Sequence, residues 1–227
     1  MANSEGEEVT NRQVILRDYV SGFPEESDMI LVDGSIQLKV PTGSNGILLK
    51  NLYLSCDPYM RIMMTKNESH DRFTCYTPGL PLTGYGVAKV INSTIPDFME
   101  GDLVWGLTRR EQYSLFSSTE GFSKIQHIDI PLSYYTGILG WLSLTAYVGF
   151  FEIGCPKKGE HVFVSAASGG VGQLVGQFAK LMGCHVVGIA RTNEKVDLLN
   201  KLGFDDAFNC KEGKDMDAAL KRYYLLI

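Results

Sequence analysis

The sequence lacks a cysteine framework, a long apolar run and an excess of basic residues. Its five cysteines are scattered and include no C-x-x-C pair, which disfavours a disulfide-stapled secreted domain and indicates a reducing compartment. No apolar run reaches the roughly 18–20 residues of a membrane helix. The first residues show no basic segment followed by an apolar one, so no secretion signal is predicted. We therefore expect a cytoplasmic protein that does not contact a membrane.

Basic residues are also neither numerous nor clustered. The chain has 21 Lys and Arg against 26 Asp and Glu, a formal net charge of −5, so nothing favours nucleic acid as a partner. A hydrophobic content of 44% with 21% charged residues is typical of a globular protein and not of a disordered one. The length of 227 residues corresponds to roughly one and a half domains.

The first part of the chain is predicted to be rich in β-structure. Apolar and β-branched runs separated by Gly and Pro turns predict six short strands at 14–20, 36–40, 46–54, 86–95, 102–107 and 113–118. This spacing is typical of a small barrel or sandwich. A short helix is predicted after Ser55, with Asp57 as its cap and Pro58 at its first position.

The pattern changes after Pro131, where helices and strands begin to alternate. Helices are predicted at 132–140 and 141–153, and then strands at 161–166, 184–190 and 207–208 alternate with helices at 171–182 and 194–202. A further helix is predicted to begin at Asp215. This order predicts two domains: a substrate and catalytic domain at 1–131, and a partial nucleotide-binding domain at 132–227.

The most informative motif is a glycine-rich turn between a predicted strand and a predicted helix. It comprises Ala166, Ala167, Ser168, Gly169, Gly170, Val171 and Gly172. Glycine lets the backbone approach a pyrophosphate, and a helix N-terminus offers free N–H groups and a positive dipole end. The strict G-x-G-x-x-G is not met, because Ala167 replaces the first glycine. The motif predicts dinucleotide binding, and the alternative is a tight turn that binds nothing.

Two cations follow the second predicted strand of this part. An NAD site usually has Asp or Glu there to hold the ribose hydroxyls, but this chain has Arg191 and, one turn later, Lys195. Cations suit the 2′-phosphate of NADP(H), and an acidic residue would repel it. We therefore predict NADP(H) as the cofactor. The alternative is that both side chains are solvated charges at a helix start.

Several spaced motifs together resemble one protein family. They are N-L-Y-L-S-C-D-P-Y-M-R from Asn51, G-Y-G-V-A from Gly84, G-D-L-V-W-G from Gly101, S-Y-Y-T-G from Ser133 and L-T-A-Y from Leu144. In this order they resemble the medium-chain dehydrogenase/reductase superfamily, and within it the zinc-independent plant double-bond reductases, or NADPH-dependent 2-alkenal reductases. The resemblance implies an α/β protein in which a β-rich, GroES-like barrel is followed by a Rossmann domain. Because this chain supplies at most three parallel strands, we expect an incomplete, C-terminally truncated doubly wound sheet.

The resemblance also implies a reaction and roles for individual residues. The reaction is reduction of the C=C bond of α,β-unsaturated aldehydes and ketones, and the enolate that forms needs hydroxyl donors. By resemblance Tyr59 and Tyr85 are the catalytic residues, and Pro58, Tyr59 and Thr145 contact the cofactor. The alternative for both tyrosines is core packing. No metal is expected, because Tyr85 stands where zinc-dependent members have histidine.

Other functions remain open at this stage. A quinone oxidoreductase of the same superfamily is a close variant. A different class is a truncated, catalytically inactive product that at most binds NADP(H) or a partner subunit. Members of the family form homodimers through strands that follow the sequence seen here, so we do not expect that dimer for this chain.

Overall fold

The computed structural model describes residues 6–66 and 75–212 and divides the chain into two compact units. The first unit is Met1–Thr136 and the second is Gly137–Ile227. The division falls near the domain boundary predicted at residue 131. The helix predicted to begin at Asp215 lies outside the described residues.

The first unit contains a two-stranded ribbon and a five-stranded sheet, both antiparallel. Its strands in the described ranges are β1 (Glu8–Leu16), β2 (Met29–Gln37), β3 (Ile47–Leu54), β4 (Thr83–Ser93), β5 (Leu103–Arg109), β6 (Tyr113–Phe116) and β7 (Ser123–Lys124). β1 pairs with β2, and the larger sheet has the order β6-β3-β4-β5-β7. Its core is formed by the buried side chains of Ile47, Leu49, Ala88, Val90 and Val104.

The first two strands lie elsewhere than predicted. The strand predicted at 14–20 ends at Leu16, and the strand predicted at 36–40 begins as early as Met29. The two strands pair without interruption from Glu8 with Gln37 to Leu16 with Met29. Polar side chains are accommodated because the ribbon is half exposed; Arg12 Nε, for example, lies 2.8 Å from Asp33 Oδ1.

The short helix after Ser55 is present, but its start differs from the prediction. Helix α1 is Tyr59–Met63, and Pro58 precedes it with φ −57° and ψ −31°. No side chain caps this helix, so the prediction that Asp57 caps it is wrong. The loop is held instead by a backbone hydrogen bond from the Ser55 N–H to the Tyr85 carbonyl, at 2.8 Å.

The region from residue 132 to residue 154 is helical in three different ways. Leu132–Thr136 is a 3₁₀-helix, α2 (Trp141–Tyr147) is an α-helix, and Val148–Gly154 is a π-helix. The predicted helix at 132–140 is therefore wrong beyond Thr136, where a turn closes with the Gly140 N–H donating to the Gly137 carbonyl. The π-helix ends at Cys155, whose φ of +44° stops further helical growth.

The second unit is built on a parallel sheet of the order β10-β9-β8. Its strands are β8 (His161–Val164), β9 (His185–Ala190) and β10 (Asp206–Asn209), and helices α3 (Gly170–Leu181) and α4 (Asn193–Lys201) connect them. This order, counted along the chain as 3-2-1, is that of the first half of a doubly wound fold. The predicted succession of a β-rich part and an incomplete parallel α/β sheet is thus confirmed. In the described ranges, no helix has both the length and the apolar character needed to cross a bilayer.

Candidate functional site

The glycine-rich turn leaves β8 and folds back towards the end of β9. The backbone of Ala166 has a φ of +49°, a conformation that residues other than glycine rarely adopt. Ala167 is fully buried, and its N–H donates to the Ile189 carbonyl at 3.0 Å. The Gly169 N–H donates to the Ala166 carbonyl at 2.9 Å. The turn therefore lies directly beside the carboxyl end of β9.

Two glycines of the turn lie in close contact with neighbouring residues. A Cβ on Gly172 would lie 2.7 Å from the Ala167 Cα, and a Cβ on Gly170 would lie 2.3 Å from the Leu142 Cδ1. A larger residue at Gly172 would meet backbone atoms and push α3 away from the turn. A larger residue at Gly170 would meet the Leu142 side chain, which would have to turn aside. Glycine here sets how closely helix and strand pack.

The start of α3 has the properties of an anion-binding site. The hydrogen-bond ladder of the helix begins with the Gln173 N–H donating to the Gly169 carbonyl at 2.9 Å, so the amides of Gly170, Val171 and Gly172 precede it. No side chain caps the helix at Gly169. Free N–H groups and the positive end of the helix dipole are what a pyrophosphate requires. The turn thus fits the phosphates of a dinucleotide.

The two predicted 2′-phosphate ligands follow β9 in the structure. Arg191 comes directly after the strand, and Lys195 lies in the first turn of α4. Both are exposed, and neither makes an ion pair or a side-chain hydrogen bond to a described residue. Thr192 caps α4, accepting a hydrogen bond from the Lys195 N–H at 3.4 Å. The carboxyl ends of β8 and β9 thus bring the glycine turn and both cations to one edge of the sheet.

Thr145 lies on α2, whose residue Leu142 packs over Gly170. Thr145 is exposed, and its Oγ1 donates to the Trp141 carbonyl at 2.9 Å. Its hydroxyl hydrogen is therefore used within the helix, and its remaining lone pairs are what it can offer a ligand. Its predicted contact with the cofactor stays a prediction.

In the first unit, the two predicted catalytic tyrosines belong to one aromatic cluster. Tyr85 on β4 stacks on Trp105 of β5, with ring centroids 4.9 Å apart and an angle of 15° between the rings. The ring of Tyr59, the first residue of α1, meets the Tyr85 ring nearly at right angles with centroids 6.4 Å apart. Pro58 precedes Tyr59 and is exposed.

The glycines on both sides of Tyr85 allow close approaches to it. A Cβ on Gly84 would lie 2.9 Å from Arg110 Nη2, and a Cβ on Gly86 would lie 2.7 Å from the Tyr53 carbonyl oxygen. The G-Y-G motif therefore lets a guanidinium and the neighbouring strand pack against the backbone that carries Tyr85.

Three further residues of this cluster were missed from the sequence. Asp57 is only 8% exposed, and its Oδ2 makes no hydrogen bond. Tyr76 donates a hydrogen bond to the Thr83 carbonyl at 2.5 Å, and Arg110 Nη2 lies 3.1 Å from the Met60 sulfur. The D-P-Y spacing could have suggested Asp57, but nothing in the sequence marks Tyr76 or Arg110.

The electrostatics of the cluster keep its phenols protonated. Burial and, next, the negative charge of Asp57 raise the pKa of Tyr59 to about 12. The Arg110 charge and a hydrogen bond with the Tyr85 backbone act in the opposite direction on the pKa of Tyr59. Burial and Asp57 also raise the pKa of Tyr85. Both hydroxyls are hydrogen-bond donors at neutral pH, as phenols ordinarily are, and the raised pKa values extend this to more alkaline pH.

Two other features bear on the choice of site. A groove of about 590 Å³ in the first unit is lined by Arg109, Phe116 and Phe122 among others, and it contains none of the predicted site residues. The tyrosine cluster, in contrast, combines protonated donors with the buried carboxylate of Asp57. Among residues 6–66 and 75–212, no group of three or more His, Cys, Asp and Glu side chains could hold a metal ion.

Comparison with known families gives two matches. Residues 12–125 match a family described as the N-terminal domain of oxidoreductase, and residues 170–224 match one described as zinc-binding dehydrogenase. A 2-alkenal reductase (NADP(+)-dependent) of Nicotiana tabacum is 61% identical over 219 residues, which are 96% of this chain and 64% of the relative. A (+)-pulegone reductase of Mentha piperita is 52% identical over 95% of this chain and 64% of the relative.

Solved structures show the same likeness. The CurA protein of Vibrio vulnificus is 32% identical and superimposes with a TM-score of 0.81, covering 94% of this chain and 61% of that protein. Its complex with NADPH gives a TM-score of 0.80 at 31% identity, over 93% of this chain and 61% of that protein. The chain thus spans somewhat less than two thirds of the length of these relatives.

Proposed function

We propose a function for this chain on the basis that it belongs to the medium-chain dehydrogenase/reductase superfamily. The proposed activity is NADPH-dependent reduction of the C=C bond of α,β-unsaturated aldehydes and ketones. The tobacco and mint relatives are named for such reductions, and the chain matches both over nearly its whole length. The proposed substrate is a small unsaturated carbonyl compound.

The observation that carries the proposal is the charge at the sheet edge of the second unit. Arg191 and Lys195 follow β9 at the same edge of the sheet as the uncapped start of α3, and neither makes an ion pair with a described residue. A nucleotide with a 2′-phosphate supplies the anion that both cations lack. The backbone N–H groups that follow Ala167 and Ser168 in the turn would bind its pyrophosphate. When bound, NADPH supplies the hydride that is added to the β-carbon of the substrate.

The tyrosines of the first unit supply the electrostatic part of the reaction. Negative charge develops on the carbonyl oxygen as the β-carbon is reduced, and donors aimed at that oxygen stabilise the charge. Tyr59 and Tyr85 can act as such donors because phenols are protonated at neutral pH, and their raised pKa values extend this to higher pH. Loss of one oxyanion donor typically lowers kcat about 10²–10³-fold.

The proposal is tested by following NADPH oxidation with an unsaturated aldehyde and with a quinone as competing acceptors. We expect consumption of the aldehyde and a large fall in kcat for both Tyr59→Phe and Tyr85→Phe. The Kd for NADPH should change little in Tyr85→Phe, because only Tyr59 of the two is predicted to contact the cofactor. Tyr53→Phe, on the exposed part of β3, is a matched control that should keep full activity.

Three results would contradict the proposal. Faster reduction of the quinone than of the aldehyde would show that the substrate class is quinones. If the well-folded protein binds NADPH tightly but reduces neither acceptor, only a nucleotide-binding role remains. Equal losses in all three tyrosine variants would remove the catalytic assignment.

We also propose a cytoplasmic location, supported by the five cysteines, which are all free.

A further inference from the structure

A hydrogen-bonded network of three side chains joins the end of β10 to the start of α4. Glu212 Oε1 accepts hydrogen bonds from Asn193 Nδ2 at 2.6 Å and from Asn209 Nδ2 at 3.4 Å. Asn209 Nδ2 also donates to Asn193 Oδ1 at 3.0 Å. Asn193 is the first residue of α4, and Asn209 is the last residue of β10. The network fixes a carboxylate at the first turn of α4.

This position is the one that the proposed function gives to the 2′-phosphate. Arg191 precedes Asn193 by two residues and Lys195 follows it by two. Asn193 thus holds the Glu212 carboxylate at this turn, without an ion pair to either cation. A carboxylate there repels a phosphate dianion, which raises the free energy of the bound phosphate. The two amide donors restrain Glu212, so moving it aside breaks hydrogen bonds.

The same carboxylate suits a different nucleotide. NAD sites hold the ribose hydroxyls with an acidic side chain, which in the usual arrangement follows the second strand of the sheet. In this chain Arg191 occupies that place, and the acidic side chain comes from beyond the third strand. The sheet edge therefore carries a cation for a 2′-phosphate and an acceptor for a 2′-hydroxyl.

We propose that Glu212 is a specificity-determining residue for the cofactor, which accepts the 2′-hydroxyl of NADH and opposes the 2′-phosphate of NADPH. The proposal rests on the proposed nucleotide site of the second unit. Its consequence is that the chain binds both nucleotides. The preference for NADPH is smaller than Arg191 and Lys195 alone would give.

The test compares Kd values for NADPH and NADH by calorimetry, in the unchanged chain and in Glu212→Gln. Gln keeps the length of the side chain and an oxygen for Asn193 but removes the charge. We expect NADPH to bind roughly three- to tenfold more tightly and NADH several-fold more weakly. The gain for NADPH should shrink at high salt, since exposed charges are screened.

Glu194→Gln is the matched control. Glu194 lies in the same first turn and carries the same charge, but its side chain makes no hydrogen bond to a described residue. Its replacement should change the ratio of the two Kd values much less. An unchanged ratio in Glu212→Gln, or equal changes in both variants, overturns the proposal while leaving the NADPH site intact. Failure of the unchanged chain to bind either nucleotide overturns the proposed function as well.

Discussion

At the scale of single residues, Asp57 combines two unusual properties. It is almost fully buried, and one of its carboxylate oxygens makes no hydrogen bond. A buried negative charge disfavours a second one nearby, so Asp57 opposes ionisation of both Tyr59 and Tyr85. Asp57 thus widens the pH range over which the proposed oxyanion donors stay protonated, and it does not itself need to touch the substrate.

Replacing Asp57 with Asn should therefore lower the pKa of Tyr59 from its value of about 12. The cause is removal of a negative charge, while Asn keeps nearly the same shape. The measurement is a pH titration of phenolate absorbance, with Asp57→Asn/Tyr59→Phe subtracted to isolate Tyr59. Superimposable titration curves before and after the substitution would show that Asp57 has no such influence.

Individual site residues differ in how far the sequence could predict them. The glycine turn and Arg191 were predictable because they adjoin strands in the chain, and local spacing carries that information. Tyr76 and Arg110 reach Tyr59 only through the folding of β4 and β5, so no local pattern marks them. Glu212 could not be predicted either, because its proposed role depends on the parallel pairing of β9 with β10.

At the scale of elements, the second unit depends on close packing of α3 on the sheet. Gly176 of α3 faces the ring of Phe204, and a Cβ added there would lie 2.0 Å from it. Phe204 is buried together with Ala167, Ala179 and Val186. The ring therefore fills the space that a larger residue in α3 would need.

Replacing Gly176 with Ala should destabilise the second unit by about 1–3 kcal/mol, because overpacking forces the ring or the helix to move. The measurement is the free energy of unfolding from urea denaturation. Gly149→Ala is the matched control, since a Cβ there has no neighbour within 4 Å. A loss of stability in the control as large as that in Gly176→Ala would argue against packing as the cause.

Helices and strands with a regular pattern of apolar residues were predictable from the sequence, and exposed or irregular ones were not. α3 and the buried strand β9 follow their predicted ranges closely, since packing on one face or two leaves a strong pattern. β2 contains Asp33, Gly34 and Ser35, which are typical of a turn, and it is held as a strand by its pairing with β1. Tertiary pairing here overrides local preference.

At the scale of the whole molecule, an acidic chain is proposed to bind an anionic nucleotide. The formal net charge of −5 opposes such binding at long range. Attraction must come from the local charges of Arg191 and Lys195 and from the dipole of α3. The second unit thus concentrates its favourable potential at one edge of the sheet.

NADPH at about 100 times its Kd should slow hydrogen exchange through local opening roughly 100-fold at residues 166–172 and at the start of α4. The reason is that an occupied site opens only after the ligand leaves. Arg191→Ala should need roughly 10- to 100-fold more NADPH for the same effect, through loss of charge-assisted hydrogen bonds. Mass spectrometry of exchanged peptides measures both. Saturation without protection of these segments would contradict the placement of the site.

The turn at 166–172 also has a kinetic and entropic consequence. Its left-handed Ala166, the hydrogen bond from Ala167 to Ile189 and the tight contact at Gly172 hold it in shape without a ligand. Binding then requires little loss of backbone conformational entropy, so more of the interaction free energy appears as affinity. A preformed turn also allows association on first encounter, and differences in affinity among nucleotides should arise mainly in their dissociation rates.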